Sequence, residues 1–414
     1  MAEFDPGTLK ALSDISRRTP KKANCVIFMG RIGGALIDNV KYAFLDCVRH
    51  FPDLQGFFLT HDQAQRDLLA RQNLPVLLFP DTEAVQICAR ASVVVSDDFW
   101  WRSHSPVHAL LEEARTFQLW HGIPLKAIGF PEIESSVNMT PEKAEYLRAN
   151  YSGYDAVLST SPYFTEHAFG RAFGANDFPE LGYPRNDAML RPPDKYDMLN
   201  VDVALYGELR QRRKEGWRVV FYMPTFRDTG GDPFSDGAIN PGKLVEFARR
   251  NKIIFVCKFH PYVQARIASN DPHVRVCASH TDPYPMLRLA DALVTDYSSI
   301  YFDYLLLKRP IVYFQYDHEA YVTRNRELML DMDDVTPGIR TADEEALYAA
   351  LAKVLDHGDP HEAERDALLA RSFTHHDDGA GKRVNQYVLD HLVAMAAQSA
   401  VTPQTASITR RTTA

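Results

Sequence analysis

The chain has 414 residues, 45% apolar, 24% charged and 11% aromatic. This is ordinary globular usage, enough for two large domains, and it excludes a disordered or fibrous chain. Lys and Arg total 46 against 54 Asp and Glu, and the net charge of −8 argues against a surface built to grip nucleic acid.

The N-terminus, MAEFDPGTLK, is acidic and has no apolar stretch of a secretory leader. The basic segment 16–22 (SRRTPKK) reads as a solvated arm, so residues 1–21 are taken as an N-terminal arm. Twelve short β-rich runs follow, at 25–29, 57–60, 76–79, 92–96, 116–120, 156–160, 179–182, 219–223, 253–258, 274–278, 292–295 and 311–315. Most are continuous apolar stretches, as strands buried on both faces of a parallel sheet require. Amphipathic helices lie between them, such as 35–51 with Ile37, Val40, Phe44, Leu45, Val48 and Phe51 on one face. The alternation predicts a doubly wound α/β architecture. Twelve strands are many for one sheet, and apolar content drops at 191–202 (RPPDKYDMLNVD). Two Rossmann-like domains are therefore expected, at 22–195 and 200–375, then a helix at 376–398 and a disordered tail at 399–414. The longest apolar run, 301–314, is broken by Lys308, Arg309 and Pro310, so no membrane-spanning segment is expected.

Cys25, Cys47, Cys88, Cys257 and Cys277 are odd in number and far apart, with no CxxC pair. A reducing compartment is expected, with no disulfide framework. HExxH, EF-hand, Walker A and GxSxG patterns are absent. Asp97-Asp98 and Asp333-Asp334 read as solvated turns rather than magnesium sites. The Gly30–Gly34 loop lacks GxGxxG spacing, which excludes a nicotinamide dehydrogenase. The cluster Phe99-Trp100-Trp101-Arg102 reads as packing.

In open α/β sheets, ligands bind beyond the carboxyl ends of the strands. Histidines, hydroxyls and arginines gather there: His121-Gly122, Ser161, Arg185, Thr225 and Arg227, Lys258 and His260, and Thr295-Asp296-Tyr297-Ser298-Ser299. Each group has two readings. Ser298 and Ser299 suit an anion at a helix N-terminus or plain capping. His121 suits a general base or a turn histidine, and Lys126 stands close enough to neutralise a phosphate. Strand alternation puts Lys258 and His260 on one side, for phosphate oxygens or for a turn before Pro261. Arg185 and Arg227 suit phosphate, or surface salt bridges with Asp187 and Asp228.

In order, WHG-x-P-x-K (120–126), LSTSPYF (158–164), GYPRND (182–187), PTFRD (224–228), KFHP (258–261) and TDYSS with FDY-x-x-L-K-R-P (295–310) resemble the CDP-glycerol glycerophosphotransferase family. Gly34 and Asp38-Asn39-Val40-Lys41-Tyr42 fit its N-terminal pattern. The resemblance implies a GT-B fold and transfer of a polyol phosphate from a CDP-linked donor to a polymer or lipid-linked hydroxyl, with release of CMP. It implies His121 as base and His260 as phosphate ligand or second acid/base group. Thr295, Ser298 and Ser299 would hold the pyrophosphate, with Asp296 positioning their loop, and Thr225 would join the donor site. Arg185, Arg227 and Lys258 would neutralise phosphates; Gly122, Lys126 and Ser161 would serve the phosphate and acceptor side. No cofactor is expected, and metal is expected to be dispensable.

The expected place is cytoplasmic, with peripheral contact at the inner face of the membrane left open. Only 17–22 and 210–218 are basic, which weighs against docking there. Rival readings are a GT-B glycosyltransferase using a nucleotide sugar and a scaffold whose chemistry is lost. His121, His260, Ser298 and Ser299 together speak against the scaffold.

Overall fold

Continuous apolar runs can be buried on both faces, and here they are. The computed structural model describes residues 4–102, 105–135, 139–225, 227, 231–259, 271–319, 321 and 327–401. The first sheet holds β1 (Cys25–Met29), β2 (Gln55–Thr60), β3 (Val76–Leu78), β4 (Val93–Ser96), β5 (Arg115–Gln118), β6 (Tyr154–Val157) and β7 (Ala175–Asp177). The second holds β8 (Arg218–Tyr222), β9 (Ile253–Cys257), β10 (Val274–Val276), β11 (Ala292–Thr295), β12 (Ile311–Phe314) and β13 (Ile339–Thr341). Their orders are β3-β2-β1-β4-β5-β6-β7 and β10-β9-β8-β11-β12-β13, parallel throughout. Strands β1, β4, β9, β11 and β12 are buried along their whole length. The order reverses between β1 and β4 in one sheet and between β8 and β11 in the other. Loops leaving those four strands therefore flank the two crevices where such sheets bind ligands.

Several sequence expectations need correction. The seventh strand is Ala175–Asp177, whereas 179–182 contributes a single bridge, Ser159 with Glu180. Pro179 has no N–H to give a ladder, and Gly182 turns the chain with φ +76°. The three-residue β13 was not foreseen, because Ile-Arg-Thr carries no periodic signal. The expected helix at 35–51 begins only at Asp38 and runs to His50, after a separate turn at Arg31–Gly34. Gly34 is obligatory in that turn: its φ is +92°, and a Cβ would stand 2.6 Å from the Leu59 carbonyl oxygen.

The N-terminal segment is not a solvated arm. Pro6–Arg18 is a helix, N-capped by Asp5, packed against the Pro106–Leu111 helix. Ser16 is buried and its hydroxyl donates to the Leu110 carbonyl at 2.7 Å. Lys21 donates to the Ala89 carbonyl at 2.8 Å. The last helix, Ala380–Val401, returns to the first domain and packs on the Asp38–His50 and Pro184–Leu190 helices. Its first turn is held by Asp187, which accepts from the Ala380 and Gly381 N–H groups at 3.1 and 2.9 Å. Residues 402–414, most of the expected disordered tail, lie outside the described residues. The five cysteines are free and buried.

The domains are tied together by polar groups deep in the protein. Lys41 Nζ donates to Asp282 Oδ2 at 2.8 Å and to the carbonyls of Asp197 and Leu199 at 2.6 and 2.7 Å. Tyr42 donates to the same carboxylate oxygen at 2.7 Å. Both side chains of the Lys41–Asp282 pair are fully buried. Removing one partner strands the other's charge away from water. Asp282→Ala is expected to lose about 3–5 kcal/mol in urea unfolding, while the apolar double replacement Lys41→Met with Asp282→Leu recovers most of it. A loss below about 1 kcal/mol for the single variant would show that this pair does not join the domains.

Candidate functional site

His121 leaves the carboxyl end of β5 on a backbone that other side chains hold in place. Trp120 has φ +54°. Its N–H donates to Gln118 Oε1 at 2.9 Å, and its carbonyl accepts from Asn39 Nδ2 at 2.9 Å. The imidazole stacks on the Trp120 indole, with centroids 4.0 Å apart. Its Nδ1 lies 2.9 Å from the Asp97 carbonyl oxygen. A carbonyl only accepts, so Nδ1 carries the proton and Nε2 presents its lone pair. Burial, and then the Arg31 guanidinium, push the His121 pKa down to about 3, against the opposing pull of Asp38. The ring is therefore neutral at pH 7.

The next residue brings the domains together. Gly122 has φ +149°, and a Cβ there would stand 2.5 Å from the Ser299 hydroxyl of the second domain. Ser299 precedes the Ile300–Leu305 helix but makes no side-chain cap bond, so its hydroxyl is not used for capping. That helix has six residues, too short for its dipole to hold an anion unaided. Asp296 positions the loop: Oδ1 accepts from the Thr225 and Tyr297 N–H groups at 2.7 and 2.6 Å, and Oδ2 from Arg227 at 2.7 Å. Thr225, Ser298 and Ser299 are half-buried beside it.

Other candidates have different work. The Thr295 hydroxyl is buried and donates to the Met223 carbonyl at 2.8 Å, tying β11 to the loop after β8. Ser161 is buried and caps the Pro162–Phe164 turn, accepting from Phe164 N–H at 3.3 Å. Lys258 Nζ donates to the Ala278 and Ser279 carbonyls, both at 3.0 Å, and burial lowers its pKa. Lys126 sits 5.1 Å above the Tyr321 ring, in a segment bridged to Leu328.

Arg185 is not the surface ion pair with Asp187 that adjacency suggested, and Arg227 is buried; Asp228 lies outside the described residues. Arg185 is buried, bonded to Asp38 at 2.7 Å and Asp303 at 2.6 Å rather than to Asp187. Arg227 is buried, bonded to Asp296 and, through Nε at 2.7 Å, to Asp317. These two guanidiniums and Lys258 already hold protein oxygens, so the expected phosphate-neutralising roles do not follow from their geometry. His260 lies outside the described residues.

Three acids do more than their sequence context suggests. Asp97 is a buried strap, not a solvated turn: Oδ2 accepts from Val40 N–H at 3.0 Å, and burial raises its pKa well above the carboxylate range. Asp38 has φ +63°; burial works against its ionisation, yet Arg185 and Arg31 hold its pKa down at about 2. Asp303 completes the Arg185 pair. The signal that could have found Asp38 and Asp97 was strand order, since both follow the switch-point strands β1 and β4. Among the described residues, no group of three or more His, Cys, Asp or Glu converges to hold a metal.

Two parallel α/β sheets whose carboxyl-end loops meet define the GT-B-like class. The wall teichoic acid polymerase TagF shares this fold, with a TM-score of 0.71 at 20% identity, covering 94% of this chain and 95% of that one. The Staphylococcus aureus protein MnaA, solved with UDP, also shares it, at TM-score 0.54 and 12% identity over 89% of this chain and 96% of that one. The chain belongs to the CDP-glycerol:poly(glycerophosphate) glycerophosphotransferase family, which residues 11–390 match. It is 28% identical to the teichoic acid glycerol-phosphate transferase of Staphylococcus aureus, over 66% of this chain and 70% of that protein. It is 25% identical to the teichoic acid ribitol-phosphate primase of Bacillus spizizenii, over 74% and 77%.

Gly122→Ala places a methyl group against Ser299 at the domain contact. It is expected to lower turnover at least about tenfold while circular dichroism stays native. Unchanged turnover would show that this contact does not shape the site.

Proposed function

We propose that this chain transfers a polyol phosphate, in the first instance glycerol phosphate, from a CDP-linked donor to a hydroxyl of a cell-envelope polymer or its lipid-linked precursor. The observation that carries the reading is His121 Nδ1 at 2.9 Å from the Asp97 carbonyl, which leaves Nε2 as the basic nitrogen, next to the Gly122–Ser299 contact between the domains. The acceptor hydroxyl gives its proton to Nε2 as its oxygen bonds to the phosphorus nearer the polyol. The bond from that phosphorus to the bridging oxygen breaks, and CMP leaves. Such a transfer needs positioning and charge stabilisation, with no covalent enzyme intermediate. Thr225, Ser298 and Ser299 supply donors beside the leaving group, and Asp296 fixes their loop. The reading includes turnover without a divalent metal. It places the enzyme at the cytoplasmic face of the membrane, where a lipid-linked acceptor would be met. No helix among the described residues is long and apolar enough to cross a membrane.

The test is CMP release from CDP-glycerol, CDP-ribitol and a set of nucleotide sugars, with EDTA present. CMP from a CDP-polyol is expected, with about 10²–10⁴-fold loss in His121→Ala. Turnover of a nucleotide sugar alone would replace this reading with a glycosyltransferase. The pH profile checks the base. A lowered histidine pKa keeps the lone pair available as pH falls through 6.5. The acid limb of kcat/KM is thus expected below about pH 5. A limb centred near the ordinary histidine value would contradict His121 as the base in this setting.

A further inference from the structure

We propose that Arg31 binds the phosphoryl group in transfer from the first domain's side, beside the base; this rests on the phosphotransfer reading above. Arg31 leaves β1, one of the two strands at the topological switch point of the first sheet, and Asp97, which orients His121, leaves the other. The loop is anchored where it starts, since the Gly30 carbonyl accepts from Trp100 Nε1 at 2.7 Å. Among the described residues, the Arg31 guanidinium makes one hydrogen bond, Nη1 to Asp38 Oδ2 at 3.3 Å, and its Nε is buried with no partner. Its side chain is 27% exposed, against 3% for Arg185 and 5% for Arg227. Arg185 and Arg227 are each bonded to two carboxylates and almost fully buried, and Lys258 is bonded to two carbonyls. A guanidinium with unfilled N–H groups, facing water beside the base, is what a transferring phosphoryl group needs.

The surrounding charges fit that role. Asp38 is shared, one oxygen to Arg31 and the other to Arg185. Burial works against the charge on Arg31, and Asp38 and then Asp98 favour it. The charged groups acting on the His121 ring are Arg31, Asp38 and Arg185, besides the Asp97 carbonyl. Arg31 thus has two effects. It keeps the base neutral before reaction, and it opposes the charge on the non-bridging phosphoryl oxygens while the proton passes to Nε2. It exchanges no proton and forms no bond to phosphorus.

The test uses the full chain, with Arg31→Gln and Arg31→Lys. In the unliganded protein, the His121 imidazole is titrated by NMR, assigned by its loss in His121→Asn. Arg31→Gln is expected to move that titration up toward the ordinary histidine value, while Arg31→Lys holds it close to wild type. In single-turnover CMP release, Arg31→Gln is expected to fall about 10²-fold, with CDP-glycerol affinity changed less than about tenfold and Arg31→Lys intermediate. A merely structural role would not move the titration or be rescued by lysine. Wild-type turnover with Arg31→Gln within about threefold of it, or an unmoved titration, overturns the proposal alone. Wild-type protein that releases no CMP from any CDP-polyol overturns the phosphotransfer reading and this role together.

Discussion

Arg185 stands where three parts of the chain meet, and it has almost no water around it. It joins Asp38, at the start of the first domain's central helix, to Asp303, in the second domain's helix after Ser298 and Ser299. A buried guanidinium between two carboxylates cannot be moved without stranding charge, at a cost of several kcal/mol. That constraint sets the distance between the histidine loop and the serine loop. It also polarises the site, because Asp38 passes the remainder of its charge to Arg31 on the cleft side. The Lys41–Asp282 pair makes a second fixed point, so the domains are held by two buried polar ties.

The chemistry then follows from what is left over. Arg185, Arg227 and Lys258, which the sequence offered as phosphate ligands, are bonded to oxygens of the protein and align its loops. His121 is kept neutral by burial and by Arg31, so its lone pair is free, while both effects disfavour the protonated ring. On the proposed reading, catalysis falls to Nε2 of His121, the guanidinium of Arg31 and the hydroxyl of Ser299, which stand beside the two switch points.

Much of the fold was legible, because strands buried on both faces must be apolar throughout, and ten or more such runs with helices between them admit few architectures. The exceptions were short. Ala175–Asp177 and Ile339–Thr341 are edge strands of three residues with no periodic signal. The charges of the N-terminal segment suggest solvation, whereas Ser16, in its helix, and Lys21, beyond it, are satisfied by partners distant in sequence. The site was legible in outline from strand ends, but not in its pairings. Adjacency pairs Arg185 with Asp187, whereas its carboxylates are Asp38 and Asp303, 147 and 118 positions away along the chain, and Arg227 reaches Asp296 and Asp317, 69 and 90 positions away. Such long-range pairs leave no local pattern; only strand order would have drawn attention to Asp38 and Asp97.

The central claim is that one cleft, closed by Gly122 against Ser299, holds the reacting phosphorus beside His121. A crystal structure of the His121→Asn variant with CDP-glycerol tests it most directly. The account predicts the phosphorus nearer the polyol within about 6 Å of where Nε2 lies, a hydrogen bond plus a near-attack separation. Donor density with its diphosphate away from that contact, for example in the groove between the Glu344–His357 and Glu362–Ser372 helices, would contradict it.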